Sequence, residues 1–202
     1  MRLTDLTELC EWTQKRTFQA GQSVFLEGDS PKMVYQVVRG VVKLTCGSSA
    51  GREMIVGLAC PGDFLDVVAI LDGRPYGVSA TAVLGNEVEV VVVPREMALR
   101  HFALVQELER TSLRELRHQR DWTVAMALER VETRALSALN MLARRLGEGN
   151  KMQLLLNRQE FAELIGATTE TAIRVLSQFR RQGLIKEAHG WMTLSEAALV
   201  AA

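Results

Sequence analysis

The 202-residue chain is poor in the residues on which many chemistries depend, with 3 histidines and 3 cysteines. The cysteines are Cys10, Cys46 and Cys60, odd in number and well separated. Neither a disulfide framework nor a CxxC-type zinc or iron–sulfur site is expected from them. Cys60-Pro61 reads as a buried cysteine beside a turn proline in preference to a haem ligand, and His101 and His118 read as lone histidines; a redox-sensing thiol stays open. No metal and no other cofactor is expected. The paired-carboxylate, Ser/His/Asp, HExxH and P-loop patterns are all missing, which argues against an enzyme. There is no run of about 18 apolar residues, so no membrane span or membrane partner is expected. The amphipathic, acid-bearing start MRLTDLTELCEW is unlike a signal peptide, and a cytoplasmic protein is the expectation. Net charge is also lacking: 24 Lys+Arg face 24 Asp+Glu, which excludes a uniformly basic coat. The balance is uneven, however. Residues 1–100 carry 10 basic and 12 acidic side chains, and Arg134 to the end carries 9 and 6. That tilt has the sign of a C-terminus that binds nucleic acid.

What is present falls into three parts, 1–100, 101–132 and 133–202. The first reads as β structure. Val34-Tyr35-Gln36-Val37-Val38 and Val41-Val42-Lys43-Leu44 flank Arg39-Gly40; Met54, Val56 and Leu58 alternate with Glu53, Ile55 and Gly57; Val88, Val90 and Val92 share a face. Short period-2 strands punctuated by glycine predict an antiparallel sandwich or roll. After Pro94 the character changes. From about Ala98 to Leu146 there is neither Pro nor Gly, and a long helix broken once near Val131–Thr133 is predicted. Val105, Leu108, Leu116, Thr123, Met126 and Val131 form an imperfect seam, interrupted by Arg117-His118-Gln119-Arg120-Asp121. A helix of this length on a small β domain needs a partner surface, and a second copy of the chain is the simple one. The polar interruption has three open readings: a pocket wall, a surface stretch, or interhelical hydrogen bonds.

The third part carries the function. Asn157-Arg158-Gln159-Glu160 has the form of a capping box, Gly166 breaks the helix that follows, and Thr168 can cap a second one. Ala162 is small where two helices must cross, Gly166 suits the left-handed turn, and Phe161, Leu164, Ile165, Ala172, Val175 and Leu176 fill the crossing. This is the pattern of a helix-turn-helix over Arg158–Ser177. Leu184-Ile185-Lys186, a turn at His189-Gly190 and Trp191-Met192-Thr193-Leu194 supply the wing. The second helix would enter the major groove N-terminus first. Glu170 and Arg174 are four apart on one face. Arg can donate twice to guanine, and Glu can accept from cytosine N4. Thr169 and Ile173 flank them, Ile173 in reach of a thymine methyl. Arg158, Gln159, Thr168, Thr171, Lys186 and His189 are the phosphate-contact candidates.

The order of these parts resembles the cyclic AMP receptor protein and FNR superfamily of bacterial transcription regulators, over roughly residues 15–196. The resemblance rests on Phe18-Gln19-Ala20-Gly21, Phe25-Leu26-Glu27-Gly28-Asp29, Val38-Arg39-Gly40 and Pro61-Gly62-Asp63-Phe64. On the C-terminal side it rests on Asn157-Arg158-Gln159-Glu160, Glu170-Thr171-Ala172-Ile173-Arg174 and Gly183-Leu184-Ile185. It implies an α+β chain: an N-terminal antiparallel β-roll of the cyclic-nucleotide-binding type, a long dimerisation helix and a C-terminal winged helix-turn-helix. It further implies a homodimer that binds palindromic double-stranded DNA and recruits RNA polymerase as an activator. The family's Glu and Arg base readers carry over onto Glu170 and Arg174. The receptor protein's additional Arg is Thr169 here, so a TGA-like core with altered outer bases is expected.

The chain departs from the family in the cyclic-nucleotide cassette. The family's ribose-binding Glu falls on Val67, and its phosphate-binding Arg-Ser falls on Tyr76-Gly77. An apolar side chain cannot accept ribose hydroxyls, and a buried phosphate without Arg would stay unpaired. Cyclic AMP is therefore not the expected effector. The regulator works without one, or with a different molecule in a pocket drawn from Asp66, Arg74, Tyr76, Gln119 and Arg120. FNR's cysteine-ligated cluster is not expected, because only Cys10 lies near the N-terminus. The rival reading is a ligand-binding module that regulates a protein partner through its C-terminal helices.

Overall fold

A computed structural model describes residues 13–47, 53–83, 87–147, 151–153 and 156–200. The chain divides into two compact units, Met1–Arg120 and Asp121–Ala202.

The first unit contains two antiparallel sheets. One has the order β1-β7-β3, from β1 (Gln14–Phe18), β3 (Met33–Arg39) and β7 (Val88–Pro94). The other has the order β2-β6-β4-β5, from β2 (Ser23–Phe25), β4 (Val42–Gly47), β5 (Glu53–Ala59) and β6 (Ser79–Ala82). β7 is the centre of its sheet, and Val90, Val91, Val92 and Val93 are all buried, so its two faces are both apolar. The strict alternation expected of β5 fails for a specific reason. Leu44 pairs with Gly57 and Thr45 with Ile55, which leaves Val56 as the extra residue of a bulge. Ile55 and Leu58 are thereby both turned inward while Val56 is 37% exposed. Gly40 makes the β3–β4 turn possible. Its φ is +84°, and a Cβ there would lie 2.8 Å from the Glu87 carbonyl oxygen.

A short helix, α1 (Val67–Asp72), buries Val67, Ala69 and Ile70. α2 (Arg95–Arg100) follows β7, and α3 (Phe102–Leu128) begins after an extended His101. The uninterrupted helix from Ala98 is thus broken here as well, and the later break falls at Glu129–Arg130, ahead of α4 (Val131–Leu146). The predicted seam also divides. Leu104 and Leu108 belong to the core of their own roll, together with Phe25, Tyr35, Phe64, Ile70 and Tyr76. Further along, Leu113, Leu116, Val124 and Leu128 are 58%, 63%, 51% and 81% exposed. Their spacings of three, eight and four residues put them along one stripe of the helix. Glu107 is buried, and Arg114 Nη2 donates to its Oε1 at 2.8 Å, which supplies the counter-charge that a buried carboxylate requires.

The second unit holds α4, a three-stranded sheet, and the helices α5 (Arg158–Ile165), α6 (Thr169–Arg181) and α7 (Glu196–Val200). The sheet has the order β8-β10-β9, from β8 (Lys151–Gln153), β9 (Ile185–Ala188) and β10 (Trp191–Leu194). The predicted hairpin is present as β9 and β10, turning at His189 (φ 50°) and Gly190 (φ 78°), two positive-φ residues that close a two-residue loop. β8 and α7 were not foreseen. Phe161, Leu164, Ile165, Val175, Leu176, Phe179, Ile185, Met192 and Leu194 form the buried interior. Asn140 donates from Nδ2 to the carbonyls of Leu136 (3.0 Å) and Ala198 (2.7 Å), tying α7 to α4.

Candidate functional site

The helix-turn-helix is built from its caps. Asn157 Oδ1 accepts from the Glu160 backbone N–H at 2.9 Å, and Glu160 Oε2 accepts from the Asn157 N–H at 3.0 Å. This reciprocal box fixes where α5 begins. α5 ends at Gly166, which sits at φ 61° and ψ 48°, a left-handed conformation that costs other L-residues about 1–2 kcal/mol. Thr168 Oγ1 then accepts from the Thr171 N–H at 3.2 Å and opens α6. Ala162 and Ala172, both buried, let the two helices approach closely.

With Ala172, Val175, Leu176 and Phe179 turned inward, the opposite face of α6 is open. Glu170, Ile173 and Arg174 are all exposed on it, and Thr169 is half-buried beside them. No ion pair joins Glu170 to Arg174 among the described residues, so both side chains are presented outward. Glu170 is held below the ordinary carboxylate range by its own backbone N–H and the Thr168 hydroxyl, which keeps it an acceptor at neutral pH. Of the phosphate-contact candidates, Gln159, Thr168, Lys186 and His189 are exposed and Thr171 is half-buried. Gln159 Nε2 donates to Glu163 Oε1 at 2.9 Å. Arg158 is committed elsewhere, to Glu187 of the wing at 2.6 Å.

Sequence reasoning missed Arg134 in this module. Arg134 is buried, and its guanidinium donates to the carbonyls of Ile165 (3.0 Å), Met126 (3.2 Å), Glu129 (3.3 Å) and Gly166 (3.3 Å). A single cation therefore binds the C-terminal carbonyls of α3 and those of α5, where helix dipoles favour positive charge. The available signal was an Arg set within the apolar stripe Ala135, Ala138, Leu139 and Leu142 of α4.

Two of the five effector-pocket candidates are seen side by side. Asp66 and Tyr76 are neighbours in the roll. Asp66 stands at φ 40° ahead of α1, and its Oδ2 accepts from the Gly77 N–H at 2.9 Å. Burial raises the Asp66 carboxyl above its usual range. Tyr76 is 3% exposed, stacks on Phe25 with ring centroids 3.7 Å apart, and donates its hydroxyl to the Met33 carbonyl at 2.8 Å. Arg74 points to solvent, 85% exposed, near Asp72. Gln119 and Arg120 are exposed on α3. A cleft of about 470 Å³ lined by Lys32, Gly73, Arg95 and Met97, among others, includes none of the five. α3 instead contributes Glu115, whose carboxyl is pushed up to about 7 by burial and by Asp66 and Asp63, against the opposing pull of Arg114. Cys46 is half-buried and its thiol is raised by burial, Glu27 and Asp66, which disfavours the reactive thiolate; Cys60 is buried, and Cys10 lies outside the described residues. Among the described residues no group of three metal-ligating side chains occurs, and no helix is long and apolar enough to cross a membrane.

A β-roll followed by a capped helix-turn-helix with a wing defines a DNA-binding transcription regulator with a sensory-type domain. Comparison with known proteins gives the same class. Residues 15–103 match the cyclic nucleotide-binding domain, and residues 133–202 match the Crp-like helix-turn-helix domain. The chain is 31% identical to the nitrogen fixation regulation protein FixK of Bradyrhizobium diazoefficiens, over 92% of this chain and 79% of that protein. It is 33% identical to the transcriptional activator protein FnrL of Cereibacter sphaeroides, over 84% and 71%. It is 30% identical to a CRP-like cAMP-activated global transcriptional regulator of Mycobacterium tuberculosis, over 90% and 84%. The solved structure of FixK2 from Bradyrhizobium japonicum superposes with a TM-score of 0.84 at 24% identity, covering 93% of this chain and 96% of that one. The chain belongs to the CRP/FNR family of transcription regulators, which are not enzymes.

Proposed function

We propose that the protein is a homodimeric activator that reads a palindromic duplex with a TGA-like core and needs no bound effector to do so. The observation that carries the reading is the outward face of the capped helix α6, where Glu170, Ile173 and Arg174 stand exposed and neither charge has an ion-pair partner among the described residues. Arg174 donates to guanine, Glu170 accepts from cytosine, and Ile173 and Thr169 contact the neighbouring positions. Gln159, Thr168, Thr171, Lys186, His189 and Arg158 hold the backbone phosphates. A second copy supplies the other half-site, joined through the stripe Leu113, Leu116, Val124 and Leu128. RNA polymerase is the downstream partner.

Independence from a cyclic nucleotide is supported by Tyr76. It stands where relatives of the cyclic-AMP-binding kind carry the phosphate-binding Arg, and here that place is filled by a buried ring stacked on Phe25. A buried phosphate there would displace the ring and meet Asp66, a carboxyl group whose charge has its own sign.

Fluorescence anisotropy of the ligand-free protein tests the reading, with a TGA-core palindrome against a scrambled duplex at one fixed salt concentration. Selective binding of the palindrome is expected. Equal affinity for both duplexes would refute it. Leu116→Glu with Val124→Glu is expected to yield a monomer by light scattering, and a dimer in that variant would exclude the stripe as the interface.

A further inference from the structure

Three elements of the DNA-binding unit meet at one carboxylate. Glu187 lies two residues after Ile185, so it shares the inward face of β9. Its Oε2 is 2.6 Å from Arg158 Nη2 and 3.7 Å from Arg180 Nη1. The Glu187 side chain is 14% exposed, against 37% and 44% for the two arginines. Its Oε1 is buried and receives no hydrogen bond. The corner formed by α5, α6 and the wing therefore holds two guanidiniums and one carboxylate, with one positive charge left over.

Arg158 is the first residue of α5, immediately after the cap at Asn157. In helix-turn-helix modules the first helix crosses the phosphate backbone. Guanidinium groups take carboxylate and phosphate oxygens with the same forked geometry. A DNA phosphate arriving at this corner meets arginines whose donors already face an anion.

We infer that Glu187 is a built-in stand-in for a DNA phosphate, a positioning residue that holds Arg158 and Arg180 in the free protein and competes with the duplex for both. The inference rests on the DNA-reading function proposed above. Its consequence is selective restraint. Glu187 lowers affinity for every duplex by the same factor and leaves base discrimination alone. Arg174 and Arg180 are six residues apart, which is roughly 9 Å along the helix, so the base-reading end is separate from the restrained corner.

The test is anisotropy of the full chain and its variants against the palindrome and the scrambled duplex, between 50 and 200 mM salt. Glu187→Gln is expected to bind both duplexes more tightly by one common factor. Its log–log salt slope should steepen by about 0.9 for one released arginine, equivalent to about 3.5-fold over that salt range. Glu187→Asp keeps the charge and withdraws the carboxylate by one methylene, so it separates competition from net charge. It too should bind both duplexes more tightly, by a smaller factor, and it serves if the Gln variant folds poorly. Glu196→Gln removes an exposed acid on α7 that makes no ion pair among the described residues, and should shift the slope by much less. Weaker binding by Glu187→Asp, an unchanged slope in Glu187→Gln, or a gain confined to one duplex would overturn the inference while the parent's selectivity stands. A parent that binds neither duplex would overturn both this inference and the reading beneath it.

Discussion

Glu115 is the carboxyl group whose ionisation the fold resists most clearly. It projects from α3, and burial is the largest cause of its raised pKa, followed by the charges of Asp66 and Asp63, with Arg114 opposing them. Its ordinary value of 4.5 becomes about 7 in the folded chain. Below pH 4.5 the carboxyl is protonated in both folded and unfolded chains, and its contribution to stability is fully present. Between about 4.5 and 7 the folded chain keeps the proton that the unfolded chain releases, so stability falls as pH rises, and the contribution is lost above about 7. At about 1.4 kcal/mol per pH unit, that interval is worth at most about 3.5 kcal/mol. Asp66, also raised by burial, acts in the same direction. Glu115→Gln removes the ionisation and keeps the shape. The variant is expected to match the parent near pH 4.5 and to exceed it at pH 8. In melting experiments the gain should appear in the roll transition as several degrees, at about 2–4 °C per kcal/mol. A variant no more stable than the parent at pH 8, or with the parent's full pH dependence, would refute the reasoning.

Arg134→Met should destabilise the DNA-binding unit by about 3 kcal/mol in urea denaturation, because four carbonyls of α3, α5 and their flanks lose a buried donor. Arg134→Lys, which keeps the charge and reaches fewer carbonyls, should fall between the two. Gly40→Ala should cost the roll about 2–3 kcal/mol, since it combines a positive φ with a Cβ 2.8 Å from the Glu87 oxygen; a near-neutral result would mean the β3–β4 turn relaxes.

What could be read from the sequence was local. The Asn157/Glu160 box, the Thr168 cap, the left-handed Gly166 and the His189-Gly190 turn each depend on residues within a few positions, and all are found where they were expected. Features set by distant chain segments were not legible. The bulge at Val56 depends on how β4 pairs, and no period-2 reading of β5 alone reveals it. Leu108 and Leu116 both belong to the apolar seam read along the helix, yet one lies in the core of the roll and the other is 63% exposed. The partners of Arg134 are up to 32 residues away and those of Asn140 up to 58. A polar residue on an apolar stripe announces that a partner exists without saying which. The Phe25–Tyr76 stack was hidden for the same reason: it joins β2 to the loop ahead of β6, segments brought together only by the closed roll.

The central claim is that α6 reads bases through Arg174. The most direct measurement compares Arg174→Ala with the parent on the TGA-core palindrome and on duplexes changed at single core positions, at fixed salt. Loss of one bidentate contact should cost about 1–3 kcal/mol at the guanine it reads, or roughly 5- to 150-fold in affinity, and flatten discrimination there. A variant that keeps the parent's affinity and its full preference at every core position would contradict the account.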